Sequence, residues 1–310
     1  MALLGYIQVT RICNQRCLFC SNPDNDRVLS VEEALRGARE LAASGYDGVI
    51  LTGGEPTLHP QLARIIAGVR EIGIHVRLIT NGQLSADLGY LGELKAAGLQ
   101  HVHVSLHTAR AELQASITGK PDSFACIDAT LSNLGELDLA CDLNTVICAQ
   151  NADHLDQTAA EIIERHPHVR HFVWNNIDPR MNRVAQNPQT VARLADMELA
   201  LHRAARLCDS SGRSFRIERV PLCYMADFAH ASTETRKIVK GEERRVLFLD
   251  EKGEVRQTDF FHQKAEVCKT CSLDPICAGL YDLGGAYDPS ELHALFIDPE
   301  PIRARILRVP

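Results

Sequence analysis

Long hydrophobic segments, aromatic residues and an excess of positive charge are all scarce in this 310-residue chain. It has no run of about 18 apolar residues that could span a bilayer, and its start lacks the basic and apolar segments of a secretory signal. We therefore expect a protein that stays in the cytoplasm, away from membranes. Aromatic residues make up 5% of the chain, and the formal net charge is −7. An acidic chain with well-mixed charges is a poor candidate for nucleic-acid binding.

Cysteine is the residue type that stands out, with 11 copies in the chain. Thiols stay reduced in the cytoplasm, so this number argues against a disulfide framework and favours metal binding or catalysis. Six of the cysteines fall into two tight groups, Cys13/Cys17/Cys20 and Cys268/Cys271/Cys277. This clustering predicts two separate sites.

Strand-like and helix-like patterns alternate through the first two thirds of the chain. The clearest helix is Val31–Ala43, which Ser30 and Glu33 start as a capping box. Such alternation predicts βαβ units and a parallel sheet. Six units are too few for an eight-stranded barrel, so we expect an α/β fold with an open, partial (β/α)6 barrel. The predicted strands are Gly5–Thr10, Gly48–Thr52, His75–Thr80, His101–Leu106, Asp142–Cys148 and His171–Asn175.

The rhythm changes near residue 212, where we place a domain boundary between residues 1–212 and a smaller C-terminal region, 213–310. A further strand is expected at Arg213–Arg219. Arg244–Asp250 and Glu254–Asp259, joined by Glu251–Gly253, have the pattern of a β-hairpin.

Alternation along the strands predicts a polar barrel interior. In His101–Leu106 the valines face the outer helices, so His101, His103 and Ser105 face inward. Asp142, Asn144 and Cys148 share the inward side of the next strand. Such an interior leaves space for a polar ligand, although histidines hydrogen-bonded within the core are the alternative.

The first cysteine group directly follows the first strand, at the functional rim of a parallel α/β fold. Its C-x3-C-x2-C spacing places three thiolates on one loop. They suit three corners of an iron–sulfur cube, whose fourth iron would then be open to an exogenous ligand. The alternative is a zinc site, which would need a fourth protein ligand such as His59 or His107.

Together with Gly53-Gly54-Glu55-Pro56 after the second strand, this motif resembles the radical S-adenosylmethionine (SAM) superfamily. Thr80-Asn81-Gly82 and Ser105 at later strand ends agree, and the similarity covers roughly residues 5 to 180. The resemblance implies a [4Fe–4S] cluster on Cys13, Cys17 and Cys20 whose open iron binds SAM. It also implies an electron donor such as flavodoxin or ferredoxin.

The same resemblance implies several contacts to SAM. Gly53, Gly54 and Glu55 would offer backbone carbonyls to its amino group, and Phe19 would lie against the adenine. Ser105 would hydrogen-bond the ribose or the carboxylate, and Asn144 is a further contact supported by its inward position. A glycine pair also lets backbone approach a ligand without a Cβ between them.

The second cysteine group, with C-x2-C-x5-C spacing, is similar to part of the auxiliary-cluster module called SPASM or twitch. The full module would have another cysteine where this chain has Tyr281. Cys223 is our candidate fourth ligand to Cys268, Cys271 and Cys277; otherwise one iron of the auxiliary cluster is open to substrate. Structural zinc is the alternative.

The substrate is the least constrained part of the prediction. The loop from Trp174 to Arg183 suits a carboxylate or phosphate, and Cys148 is a candidate hydrogen-atom donor. Because Cys13 lies so near the start of the chain, a polar small molecule is favoured over a peptide, unless a separate protein delivers the peptide. The competing class is a zinc-stabilised binding protein without catalysis, which would leave Gly53–Pro56 without a purpose.

Overall fold

A curved sheet of nine strands organises the computed structural model, which describes residues 3–22, 25–249 and 252–308. The strand order is β7-β6-β5-β4-β3-β2-β1-β8-β9. Neighbours from β7 to β8 pair in parallel, and β9 is antiparallel to β8. The strands are β1 Leu4–Thr10, β2 Gly48–Gly53, β3 His75–Thr80, β4 His101–Ser105, β5 Ala140–Ile147, β6 His171–Asn176, β7 Ser214–Glu218, β8 Arg244–Leu247 and β9 Glu254–Gln257.

Helices connect the parallel strands and cover the outside of the sheet. They are α1 Val31–Ala43, α2 Leu62–Ile72, α3 Leu88–Ala96, α4 Ala111–Thr118, α5 Ser123–Glu136, α6 Leu155–Arg165, α7 Asn182–Gln186, α8 Leu194–Ser210, α9 Thr233–Lys240 and α10 Glu300–Arg308. The α/β fold with a parallel sheet is therefore confirmed. None of the described helices is long and apolar enough to cross a membrane.

Helix α1 shows how local sequence sets these elements. The Ser30 hydroxyl accepts a hydrogen bond from the Glu33 backbone N–H (3.2 Å), and the Glu33 carboxylate accepts one from the Ser30 N–H (2.9 Å). This reciprocal cap satisfies two backbone donors that the first turn leaves unpaired. The helix buries Val31, Ala34 and Leu41 against the sheet.

The sheet curls until its two sides face each other. Although β7 and β8 are far apart in the strand order, Arg244 of β8 lies 3.5 Å from Glu218 of β7. Strands β1 to β8 all contribute side chains to one lumen cavity of about 250 Å³. The curl therefore produces a barrel-like lumen to which β7 and β8 contribute in addition to the six predicted units.

The predicted C-terminal hairpin is present as β8 and β9, and its first strand joins the barrel sheet, with Tyr6 opposite Val246. Asp250 and Glu251, at the predicted turn, lie outside the described residues. Because β7, β8 and β9 extend the same sheet, the sheet has no break at residue 212. The division into residues 1–212 and 213–310 stays a prediction.

Candidate active site

The first cysteine loop leaves the C-terminal end of β1, at the rim of the barrel. Cys13, Cys17 and Cys20 are all half-buried. Backbone N–H groups point at two of the sulfurs, from Gln15 to Cys13 Sγ (3.4 Å) and from Asn22 to Cys20 Sγ (3.4 Å). Hydrogen bonds to sulfur are one of the means by which a protein tunes the potential of an iron–sulfur cluster.

The glycine pair at the end of β2 holds this loop in place. Gly54 N–H donates to the Thr10 carbonyl (2.7 Å), and Glu55 N–H donates to the Ile12 carbonyl (2.8 Å). A Cβ on Gly53 would lie 2.0 Å from Thr10 O, and a Cβ on Gly54 would lie 2.3 Å from Ile12 O. The close approach that needs glycine is thus made by the protein's own backbone. The predicted contacts of these residues with SAM stay predictions.

The buried Glu55 carboxylate joins the ends of β2 and β3. It accepts hydrogen bonds from Thr57 N–H (3.0 Å) and Oγ1 (2.6 Å), from Thr80 Oγ1 (2.8 Å) and from Asn81 N–H (2.7 Å). Burial nevertheless raises the pKa of Glu55. The Asn81 side chain continues toward the cysteine loop, donating to Asn14 Oδ1 (2.8 Å) and lying 3.9 Å from Cys13 Sγ. The two sequence motifs are therefore one hydrogen-bonded unit.

The donor set suits a cube better than a single zinc ion. Tetrahedral zinc would draw its sulfur ligands to within about 4 Å of one another. Among the described residues, one group of at least three candidate ligands has its donor atoms within 4.8 Å of one another, and it is His101, His103 and Asp142. The three cysteine sulfurs do not form such a group. His59 also fails as a zinc ligand, because its Nε2 lies 2.8 Å from the Leu29 carbonyl and its Nδ1 accepts from Gln61 N–H (3.1 Å).

Burial affects the thiols of this loop as well. It raises the pKa of Cys13 to about 11 and raises the pKa of Cys17. Without a bound metal these thiols hold their protons at neutral pH. Loading iron would therefore release protons, as metal binding to thiolates does in general.

The other predicted SAM contacts lie around the same rim. The Phe19 ring packs edge-on against His107, with the ring centroids 4.8 Å apart. Ser105 is half-buried at the end of β4, directly opposite Asn144 in the β4–β5 register. The Asn144 side chain lines the lumen cavity and accepts a hydrogen bond from Asn175.

Cys148 was predicted to face the barrel interior, but its side chain does not line the lumen cavity. It is fully buried in a small apolar cluster with Ile117, Ile177 and Val184, against which Phe19 packs. Burial raises the pKa of its thiol to about 11. The side chain is therefore close to the proposed adenine contact, and a hydrogen-donor role for it stays a prediction.

The second cysteine group gains a fourth thiol from a distant part of the chain. Cys223 lines the same cavity as Cys268, Cys271 and Cys277. Burial raises the pKa of Cys223 to about 12. Backbone N–H groups again reach sulfur, from Leu295 to Cys271 Sγ (3.3 Å) and from Gly279 to Cys277 Sγ (3.4 Å). Lys264 and His293 line this cavity too and were not anticipated from the sequence.

The lumen is lined by polar and apolar side chains together, so it is less polar than strand alternation predicted. His103, Asn144, Asn175, Glu218 and Arg244 line it together with aliphatic side chains and Tyr6. Sequence reasoning missed Glu218 and Arg244, because their strands were not assigned to the barrel. The predicted substrate loop lines a different cavity of about 600 Å³ at the rim, where Arg180 Nε lies 3.2 Å from Asp178 Oδ1.

Comparisons with known proteins match most of the barrel part of the chain. The family model described as "Radical SAM superfamily" matches residues 7–162. A probable GTP 3',8-cyclase of Saccharolobus islandicus is 33% identical over 175 residues, covering 52% of this chain and 56% of that protein. The PqqA peptide cyclase of Ruegeria pomeroyi is 29% identical over 231 residues, covering 72% and 60%. The chain thus spans a little over half the length of these relatives.

Two solved structures share the fold at low identity. Streptococcus suis SuiB bound to its precursor peptide SuiA superposes with a TM-score of 0.66 at 17% identity, covering 90% of this chain and 72% of SuiB. The structure of anSMEcpe with bound AdoMet, which is SAM, gives 0.65 at 13% identity, covering 98% and 96%.

Proposed function

The chain belongs to the radical SAM superfamily, and we propose that it cleaves SAM reductively and abstracts a hydrogen atom from a polar small molecule. The observation that carries this proposal is the junction of the Cys13–Cys20 loop with Gly54 and Glu55 at the barrel rim. Cys13, Cys17 and Cys20 would hold a [4Fe–4S] cluster. Three cysteines leave one iron free for SAM.

Each rim residue has a proposed task in holding SAM. The backbone carbonyls of Gly53, Gly54 and Glu55 would accept hydrogen bonds from its amino group. Phe19 would pack against the adenine, with His107 supporting the ring from its edge. Ser105 and Asn144, opposite each other on β4 and β5, would bind the ribose or the carboxylate.

A reduced cluster held by Cys13, Cys17 and Cys20 would supply one electron to SAM, whose S–C5′ bond would break to leave methionine and a 5'-deoxyadenosyl radical. The electron would come from flavodoxin or ferredoxin. The residues of the lumen position the substrate and exclude water. Glu218 and Arg244, 3.5 Å apart, offer both signs of charge, and Asn144 and Asn175 offer amides. These groups suit a polar substrate.

We further propose that Cys223, Cys268, Cys271 and Cys277 hold an auxiliary iron–sulfur cluster. Their shared cavity supports this, since it supplies the fourth ligand that the C-x2-C-x5-C motif lacks. With four cysteines the auxiliary cluster would have no iron open to substrate, so its role would be electron transfer.

The test is anaerobic reconstitution with iron and sulfide, followed by incubation with dithionite and SAM. We expect about eight irons per chain, for two [4Fe–4S] clusters, and release of 5'-deoxyadenosine. Cys17→Ala should lose about four irons and the release of 5'-deoxyadenosine. Cys126→Ala, outside both cysteine groups, is the matched control. If Cys17→Ala releases 5'-deoxyadenosine as the wild type does, the proposal is wrong.

A second candidate, maturation of a ribosomally made peptide, is favoured by the similarity to the PqqA peptide cyclase over 72% of the chain. The lumen cavity of about 250 Å³ is large enough for one side chain of such a peptide. A substrate that is bound productively should accelerate release of 5'-deoxyadenosine. The test compares this release with nucleotides or polar metabolites added and with short peptides encoded beside this gene added. Acceleration by the first set favours the small molecule, and acceleration by the second favours the peptide.

A further inference from the structure

Three potential metal ligands lie together in the lumen, away from both cysteine groups. His101 and His103 are alternate residues of β4, and Asp142 lies directly opposite His103 on β5. His101 and Asp142 lie near the starts of their strands and His103 lies in the middle of β4, whereas the Cys13–Cys20 loop follows the last residue of β1. Because the strands are parallel, the His101/His103/Asp142 cluster lies toward the end of the barrel opposite the cysteine rim.

The geometry of this cluster is compact. His101 Nε2 lies 2.9 Å from Asp142 Oδ1, and His103 Nδ1 lies 3.1 Å from Asp142 Oδ2. One donor atom from each residue lies within 4.8 Å of the others. The side chains are only 10 to 19% exposed. Ligands at about 2 Å from one ion would have this mutual spacing after small rotations of the side chains.

Hydrogen bonding alone leaves this cluster incompletely satisfied. Among the described residues, His103 Nε2 is buried without a hydrogen-bond partner, because the contact of His103 with Asp142 uses Nδ1. A buried polar atom without a partner carries a desolvation cost, because it loses its hydrogen bonds to water on folding. An ion bound by the imidazoles would compensate for this cost.

The charges and donor atoms around the cluster limit which metal ions could bind there. Arg77 pairs in register with His101, and its positive charge opposes any cation at this point. Two imidazoles and one carboxylate suit zinc or iron(II), whose bonds to nitrogen are strong. Magnesium and calcium prefer oxygen ligands and would not overcome the repulsion from Arg77.

We propose that His101, His103 and Asp142 form a mononuclear site for a divalent transition-metal ion such as zinc or iron(II). Three protein ligands leave at least one coordination position open, which is the arrangement of sites that bind a substrate or water. His103 also lines the lumen cavity. The open position would therefore accept a carboxylate or phosphate oxygen of a molecule in the lumen, and this last step rests on the proposed function.

The test measures metal content. Reconstituted protein with both iron–sulfur clusters is incubated anaerobically with one equivalent of zinc chloride and desalted, and zinc and iron are then measured by mass spectrometry. We expect about one zinc per chain in the wild type. His103→Ala and Asp142→Asn should lose most of this zinc, with the iron content unchanged. The matched control is His168→Gln, a half-buried histidine before β6 whose Nε2 lies 2.9 Å from the Leu131 carbonyl of α5, and it should retain zinc.

Asp142→Asn nearly preserves the shape of the side chain, so it keeps the test valid if His103→Ala fails to fold. The proposal is overturned if the wild type takes up no zinc, or if both ligand variants retain it. The cluster is then an ordinary His–Asp–His contact of the core. Because zinc content and release of 5'-deoxyadenosine are measured separately, failure of this proposal is distinguishable from failure of the proposed function.

Discussion

Replacing Gly54 by alanine should dislodge the first cysteine loop. The new Cβ would lie 2.3 Å from Ile12 O and 2.5 Å from Arg11 O, whereas ordinary contacts begin near 3.4 Å. Both neighbours are backbone atoms, so no side-chain rotation can relieve the clash. The loop would have to move by about 1 Å, and the hydrogen bond from Glu55 N–H to Ile12 O would be lost or weakened.

The magnitude follows from these two effects. Overpacking against a rigid neighbour costs about 1–3 kcal/mol, and the lost hydrogen bond adds about 1 kcal/mol. We therefore expect Gly54→Ala to lower the free energy of unfolding by about 2–4 kcal/mol. Because Cys13 is the residue after Ile12, we also expect the first cluster to be lost, with about four irons fewer per chain.

The assay combines urea unfolding, followed by circular dichroism under anaerobic conditions, with iron analysis of the reconstituted protein. Gly92→Ala is the matched control, because this position in α3 has open space around the added Cβ. It should leave the iron content unchanged and stabilise the protein by about 0.5–1 kcal/mol. If Gly54→Ala unfolds at the wild-type urea concentration and binds iron fully, the glycine does not serve the cysteine loop as we argue.

Three further predictions concern stability. Burial lowers the pKa of His107 to about 4 from its ordinary value of 6.5. Between these two pH values, His107 is protonated in the unfolded chain but neutral in the folded protein, so acid favours unfolding. The contribution of His107 to the free energy of unfolding should therefore fall by about 2 kcal/mol from pH 7.5 to pH 5. In His107→Gln, the free energy of unfolding should depend less steeply on pH, and equal slopes in the two proteins would contradict this. Glu55→Gln should cost about 2–3 kcal/mol, because three donors reach Oε1 and the Asn81 N–H reaches Oε2, so the amide NH2 of glutamine would face one of these donors. Unchanged urea unfolding would refute this. Trp174→Ala should cost about 3–5 kcal/mol, against less than about 0.5 kcal/mol for the exposed Leu199→Ala, and a similar loss in both would be evidence against the packing argument.

Features that depend on neighbouring residues could be predicted from the chain alone. Helix α1 has the predicted bounds, because its capping box and apolar stripe are local. The inward position of His103 and Asn144 followed from the two-residue period of a strand. Cys13, Cys17 and Cys20 lie on one short segment of the chain, so their spacing indicates an iron–sulfur site without knowledge of any long-range contact.

Contacts between distant segments could not be predicted in this way. The hairpin strand β8 pairs with β1, and this pairing brings Arg244 to Glu218 across the lumen. The convergence of the His101/His103/Asp142 cluster was likewise seen only in three dimensions. A sequence pattern states which side of a strand a residue occupies, but not which strand lies beside it or which ring nitrogen finds a partner.

Local periodicity and covalent spacing thus determined the elements, their inward faces and the presence of two cysteine sites. Folding decided that Cys223 joins Cys268, Cys271 and Cys277, and that Gly53 and Gly54 serve the backbone of the cysteine loop. The physical reason is that short-range preferences act between residues a few positions apart. Strand order and the packing of the loops arise instead from burying the surface of the whole chain at once.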